Sequence, residues 1–221
     1  YSKAIELAPQ VAEYYYYRTT PYEGLKMYAE AEADYLKAIE LNPKEEDYYL
    51  AFGNLYKDGL NEYEKGIAQY LKILDLNPNS VVTLTNIGLT YLYDLENSIK
   101  AKEYFFKAIK MDSTYSKPYI ILAYISENKK EYKAAIEYYS KAIELAPQTA
   151  EYYAGRSTPY EELEMYAEAE ADYLKAIELN PNKEAYYAYL SSLYLDNMNE
   201  PEKAIAQYLK IIESNPEDPF A

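Results

Sequence analysis

The strings YSKAIELAPQ at 1–10 and MYAEAEADYLKAIELNP at 27–43 return unchanged at 139–148 and 165–181, both displaced by 138 residues. Nothing else in the chain limits its fold so tightly. Self-similarity at a fixed period means one small supersecondary unit, copied along the chain, with each copy leaning on the next. A shorter period lies inside the long one. A Y-x-K-A-I-E-L-x-P type ending closes units at Pro9, Pro43, Pro78, Ser113, Pro147, Pro181 and Pro216, at spacings of 34, 35, 35, 34, 34 and 35. Four short units make one long repeat. The domain reading is one array over 1–221: a partial helix at 1–9, repeats at 10–43, 44–78, 79–113, 114–147, 148–181 and 182–216, and the start of a further unit at 217–221.

Each unit holds two helical stretches. In 44–78 the first runs from about Asp47 to Asp58, and Tyr49, Phe52, Gly53 and Tyr56 fall at i, i+3, i+4 and i+7, one helix face. Gly59 and Asn61 supply a turn. The second runs from about Glu64 to Leu76, with Gly66, Tyr70, Ile73 and Leu76 on one face. Asn77-Pro78 ends it, because the residue before proline avoids the helical region. No stretch alternates with the period of a strand. The fold class is all-α, a solenoid of antiparallel helical hairpins with about six full repeats plus a partial N-terminal helix.

A recurrent signature sits on these hairpins. The first helices carry Tyr15-Arg18-Thr19-Tyr22, Tyr49-Phe52-Gly53-Tyr56, Leu84-Ile87-Gly88-Tyr91, Tyr119-Leu122-Ala123-Ser126, Tyr153-Arg156-Ser157-Tyr160 and Tyr187-Leu190-Ser191-Tyr194. The second helices carry Ala31/Tyr35, Gly66/Tyr70, Ala101/Phe105, Ala135/Tyr139, Ala169/Tyr173 and Ala204/Tyr208. The small residues let two helices approach, and the facing aromatics fill the space, with tyrosine hydroxyls kept wet at the layer edge. In period and pattern the chain resembles the tetratricopeptide repeat along essentially its whole length. The resemblance implies a right-handed superhelix whose first helices line a concave groove that binds a peptide or a partner's helix.

Carried onto this chain, that groove is lined by Glu13, Tyr16 and Thr20; Leu50 and Asn54; Thr85, Asn86 and Leu89; Lys117, Ile120 and Tyr124; Ala154 and Thr158; Ala188 and Ser192. One subgroup of the family grips a C-terminal carboxylate with two asparagines and several cations. Asn54, Asn86 and Lys117 match three of those places, while Leu50 and Ile121 stand where two cations belong. A carboxylate without charge-assisted donors is poorly held, so the reading is against a working clamp. Arg18 and Arg156 replace an apolar residue of the signature and are read as tolerated variants, stems packed and guanidinium groups turned out to water. Pro21 and Pro159 are expected to kink or break the first helices of their repeats, the strings Thr20-Pro21 and Thr158-Pro159 doubling as helix starts.

The remaining chemistry is sparse. The chain has no histidine and no cysteine, so Ser-His, Cys-His and thiolate or imidazole metal sites cannot be built. The six glycines form no phosphate-cradling loop. Glu30, Glu32 and Asp34 are read as a solvated face rather than an acid–base pair. The expectation is a non-enzyme without cofactor or metal. With 22 basic against 37 acidic residues, net charge −15, nucleic acid and anionic membrane are unsuitable partners. The longest apolar run, Tyr119 to Ile125, is too short to insert in a membrane. The compartment stays open, with a soluble, cytoplasmic setting favoured. The partner expected is a protein or peptide. The alternative is a structural spacer that self-associates through uncapped ends, where the last helix shows Ala204, Ile205, Tyr208, Leu209, Ile211 and Ile212.

Overall fold

The structure, a computed structural model, describes residues 1–214; the unit end at Pro216 and the further unit expected at 217–221 lie outside them. The regular structure of the described residues is helical throughout. The chain divides into two compact units, Tyr1–Asp112 and Ser113–Ala221. The first holds α1 (Ser2–Leu7) and the hairpins α2 (Ala12–Gly24) with α3 (Tyr28–Leu41), α4 (Glu46–Asn54) with α5 (Tyr63–Leu76), and α6 (Val81–Leu89) with α7 (Ser98–Met111). The second holds α8 (Lys117–Asn128) with α9 (Tyr132–Leu145), α10 (Ala150–Glu162) with α11 (Tyr166–Leu179), and α12 (Glu184–Ser192) with α13 (Pro201–Ser214).

The small-and-aromatic signature packs inside each hairpin as its chemistry requires. Ala31, Ala101, Ala135, Ala169 and Ala204 are wholly buried. Of the aromatics four residues on, Tyr35, Tyr70, Phe105, Tyr139 and Tyr173 are buried, while Tyr208 of α13 is exposed. A Cβ on Gly53 would stand 2.5 Å from the Tyr70 ring, so only glycine lets α4 and α5 close to this distance. Ser157 and Ser191 solve the same problem with a hydroxyl that reaches the facing helix, at Ala169 O and Ala204 O, both 3.3 Å. Full burial of a side chain such as Phe52 or Phe105 contributes roughly 1.5–3 kcal/mol.

Many of the signature tyrosine hydroxyls are bonded rather than merely wet, which the pattern alone does not show. Tyr15, Tyr49, Tyr153 and Tyr187 donate to the carbonyls of Pro9, Pro43, Pro147 and Pro181 at 3.0–3.1 Å, tying each first helix to the end of the preceding unit. Tyr56 and Tyr194 donate to Glu32 and Glu170, both at 2.6 Å. Tyr35, Tyr139 and Tyr173 donate to Glu23, Glu127 and Glu161 on the first helix of their own hairpins.

The two unit lengths have a structural cause. In the three 35-residue units the first helix continues as one π-helical turn, Leu55–Gly59, Thr90–Asp94 and Leu193–Asn197. Each is closed by an i→i+5 bond, such as Leu60 N–H to Leu55 O at 3.1 Å. In the 34-residue units α2, α8 and α10 run to their ends without one. The extra residue is thus wound into the first helix as a π turn. It precedes the turn in every case, because one residue of positive φ follows each first helix: Lys26, Asn61, Glu96, Lys130, Glu164 and Asn199. At Lys26 the chain closes as a Schellman motif, with Met27 N–H on Tyr22 O and Lys26 N–H on Glu23 O. Gly59, expected in the turn, lies inside the π turn instead, and Asn61 makes the turn.

Three readings of the sequence are corrected here. First, α2 and α10 run unbroken through Pro21 and Pro159, and Thr20 and Thr158 are not helix starts. Each proline sits in the last turn, where it removes one backbone bond and little helix remains to disrupt. Second, Arg18 and Arg156 turn inward. Nε and Nη2 of Arg18 donate to both oxygens of Asp34 at 2.7 and 2.8 Å, and Arg156 forks onto Asp172 at the same distances. Each guanidinium also lies over two tyrosine rings, Tyr15 and Tyr22 or Tyr153 and Tyr160. Third, Glu32 and Asp34 are not a solvated face. Asp34 is buried by that ion pair and Glu32 is half-buried under Tyr56, leaving only Glu30 in water.

Over the described residues the 138-residue duplication is also a duplication of geometry. Helix limits, π turn, arginine–aspartate fork and the bonds of Tyr35, Tyr49 and Tyr56 recur from 12–76 to 150–214 at the shifted positions, while the Tyr70–Asn54 bond does not, Ser192 standing in place of Asn54.

Candidate functional site

The residues expected in the groove stand on the first helices, and the structure gathers some of them into cavities while turning others away. In the first unit Asn54, Asn86 and Leu89 come together, with Lys57, Tyr70 and Tyr93, around a cavity of about 300 Å³. The Asn54 carbonyl oxygen accepts a 2.6 Å bond from the Tyr70 hydroxyl, so the side chain is held in place from beneath. Leu50 lines a smaller recess of about 190 Å³ beside Asp47 and Thr83. Glu13 and Thr20 are exposed on α2. Tyr16 is packing more than groove, half-buried with its ring 4.9 Å from that of Tyr48. Thr85 is turned in: it is buried and donates to Val81 O at 2.7 Å.

In the second unit Tyr124, Ala154 and Thr158 line a cavity of about 310 Å³ between α8, α10 and α12. Lys117 is exposed at the start of α8 and Ser192 is exposed on α12, and neither lines that cavity. Ile120 and Ala188 are half-buried, Ile120 against Ala123 and Tyr139. Of the places that a carboxylate clamp would need, Asn54 and Asn86 are brought together in the first unit, while Lys117 belongs to the second.

The second cavity contains groups that the sequence reading had assigned to packing or not considered. Glu127, Tyr139, Glu151, Tyr173 and Tyr186 share its wall. Burial pushes the Glu127 carboxyl above its ordinary range; the Tyr139 hydroxyl, donating at 3.0 Å, pulls it down, and the Glu162 charge raises it again. Burial likewise raises the Tyr186 hydroxyl, with the Glu151 charge second. The wall is therefore aromatic and acidic, a surface suited to hydrogen-bond donors and cations. The signal that could have found it was internal comparison: Ala154 and Gly155 interrupt a repeat that carries Tyr16 and Tyr17 at the matching places.

Among the described residues no helix is long and apolar enough to cross a membrane. No curated protein matches the chain significantly. Among solved structures, the C-terminal part of a TPR repeat-containing protein from Cytophaga hutchinsonii is 21% identical, covers 99% of this chain and 89% of its own, and gives a TM-score of 0.79. A structure of MamA is 25% identical over 75% of this chain and 95% of its own, at 0.65. YrrB, described as a TPR protein with an unusual peptide-binding site, is 24% identical over 83% of this chain and 93% of its own, at 0.63. The profile of the tetratricopeptide repeat matches six times, at 22–45, 46–80, 82–115, 116–149, 150–183 and 184–218. With those matches in register with the hairpins, the chain belongs to the tetratricopeptide repeat family.

Proposed function

We propose that this chain is a non-catalytic scaffold that holds a peptide or partner segment against its first helices. Tetratricopeptide repeat proteins are generally protein–protein interaction modules, typically without catalysis of their own. The observation that carries the reading for this chain is the pair of cavities, one in each unit, each built from first helices of successive repeats. A segment laid across such recesses meets polar groups for its backbone and pockets for alternate side chains. Panning a random peptide library on the full chain tests it. Selected peptides are expected to lose binding with Leu89→Arg or Thr158→Arg and to keep it with Leu174→Arg, on the exposed face of α11. Equal binding by all three variants would count against the reading.

A further inference from the structure

Repeats 10–43 and 148–181 differ at six of 34 positions: Val11/Thr149, Tyr16/Ala154, Tyr17/Gly155, Thr19/Ser157, Gly24/Glu162 and Lys26/Glu164. One of these changes empties space. The Tyr16 ring lies 4.9 Å from the Tyr48 ring and 6.2 Å from that of Tyr35. In the later repeat those partners return as Tyr186 and Tyr173 with Ala154 in the place of Tyr16, while Tyr189, where the sister repeat has Ala51, brings a ring to 6.0 Å from that of Tyr173, and all four line the cavity of about 310 Å³. The place of Tyr17 is filled differently. A Cβ on Gly155 would stand 2.6 Å from the Tyr139 ring, so that ring lies flush on the backbone and closes one wall. What remains is an open slot framed by the rings of Tyr139, Tyr173, Tyr186 and Tyr189.

The slot's polar groups call for donors. Glu127 and Glu151 line it. Tyr186, 4% exposed, also lines it, and its hydroxyl, raised first by burial, stands beside Glu151, whose charge and hydrogen bonding both raise it further. Lys183 is in the wall too and opposes a cation there. Against it stands Glu162, in place of Gly24, whose charge is felt at Glu127. A phenyl group would fill the slot but set an apolar edge against the Glu127 and Glu151 carboxylates and offer them no donor. A carboxylate would be repelled. An ammonium would pair but not fill a planar space. A guanidinium is planar, stacks on tyrosine faces and donates to several acceptors at once. The same chain already seats one that way: Arg156 lies 5.5 Å from the Tyr160 ring centroid and forks onto Asp172.

We propose that this slot is a receptor for an arginine side chain of a basic peptide, seated between Tyr173 and Tyr186 and paired with Glu127 and Glu151. It rests on the groove reading above and names the partner's chemistry. The net charge of −15 draws such a peptide towards the chain at low salt.

Isothermal titration calorimetry of the full chain with acetyl-Gly-Ser-Gly-Arg-Gly-Ser-Gly-amide tests it, beside the same peptide carrying lysine, citrulline or phenylalanine. Arginine is expected to bind about tenfold or more tighter than citrulline, its uncharged isostere, and tighter than phenylalanine. Ala154→Tyr, which restores the sister repeat's ring, is expected to remove the preference without lowering the melting temperature. Lys183→Glu, the residue type at the matching Glu45, is expected to strengthen it. Citrulline or phenylalanine binding as well as arginine, or an Ala154→Tyr variant that binds unchanged, overturns the arginine slot. If library-selected peptides still bind in either case, the groove reading stands without it; if no peptide of any kind binds, both fall.

Discussion

At the scale of single residues, the arginine–aspartate forks and the half-buried glutamates place charge inside the hairpins. Arg156 and Asp172 are 17% and 8% exposed at their side chains, so either charge left alone has little water to turn to. Breaking one member of such a pair costs roughly 3–5 kcal/mol, whereas replacing both with packed neutral groups is often neutral. Asp172→Asn and Arg156→Leu are each expected to lose stability of about 3 kcal/mol in urea unfolding followed by circular dichroism. The double variant Arg156→Leu/Asp172→Gln, which copies Leu190 and Gln207 of the next repeat, is expected to return close to wild type. Glu161 offers a pH test. Burial raises its pKa first, with Glu162 and Asp196 adding to that, while the Tyr173 hydroxyl at 2.6 Å lowers it. A folded pKa above the unfolded value means that the charged form costs stability at neutral pH and that the cost fades as pH falls through the folded pKa. Glu161→Gln, which can still accept from Tyr173, is therefore expected to melt higher than wild type at pH 7. That advantage should shrink on acidification; a constant gap would show that the charge is not the cause.

At the scale of the element, unit length and helix end are coupled. The π turns at Leu55–Gly59, Thr90–Asp94 and Leu193–Asn197 absorb one residue each without disturbing the hairpin that follows. Deleting Asp58 is therefore expected to convert the end of that first helix to ordinary α geometry at a cost below about 2 kcal/mol, since one wide turn is merely removed. Deleting Ala68 from α5 would rotate every later side chain by about 100° and swing Tyr70 and Ile73 off the core, so that variant is expected not to hold the repeat. Thermal unfolding by circular dichroism separates the two. The turns themselves carry strain that glycine would relieve. Lys26 and Glu164 sit at φ 57° and 58°. Lys26→Gly and Glu164→Gly are each expected to stabilise by about 0.5–1 kcal/mol, the left-handed penalty exceeding the added chain entropy of glycine. Asn61→Gly should gain less, because asparagine already tolerates this region.

At the scale of the molecule, a repeat array holds together through neighbours, so damage stays local. Asp172→Asn is expected to speed amide hydrogen exchange in α10, α11 and the hairpins beside them. The same variant should leave α4 and α5 of the other compact unit unchanged. Uniform acceleration across both units would mean that the chain unfolds as a single cooperative block.

The order of the helices, their pairing into hairpins, the buried small-and-aromatic layer and the family were all legible in the sequence. Each is a matter of period, and a period of 34 or 35 residues with helical spacing inside it has one economical physical solution. Even the alternation of unit length is written in the sequence, though the place of the additional residue is not. Tertiary structure decided what lies across a hairpin rather than along a helix. Arg18 looked like a surface variant because its partner Asp34 is 16 residues away, on a different helix. Thr85 and Asn86 are adjacent in sequence, yet one is buried and the other lines a cavity, because a single helical step of about 100° changes the face. The slot beside Ala154 is the clearest case. A missing ring leaves no periodic trace, and whether neighbours close over the gap or leave it open is settled only by how Tyr139, Tyr173 and Tyr186 pack around it.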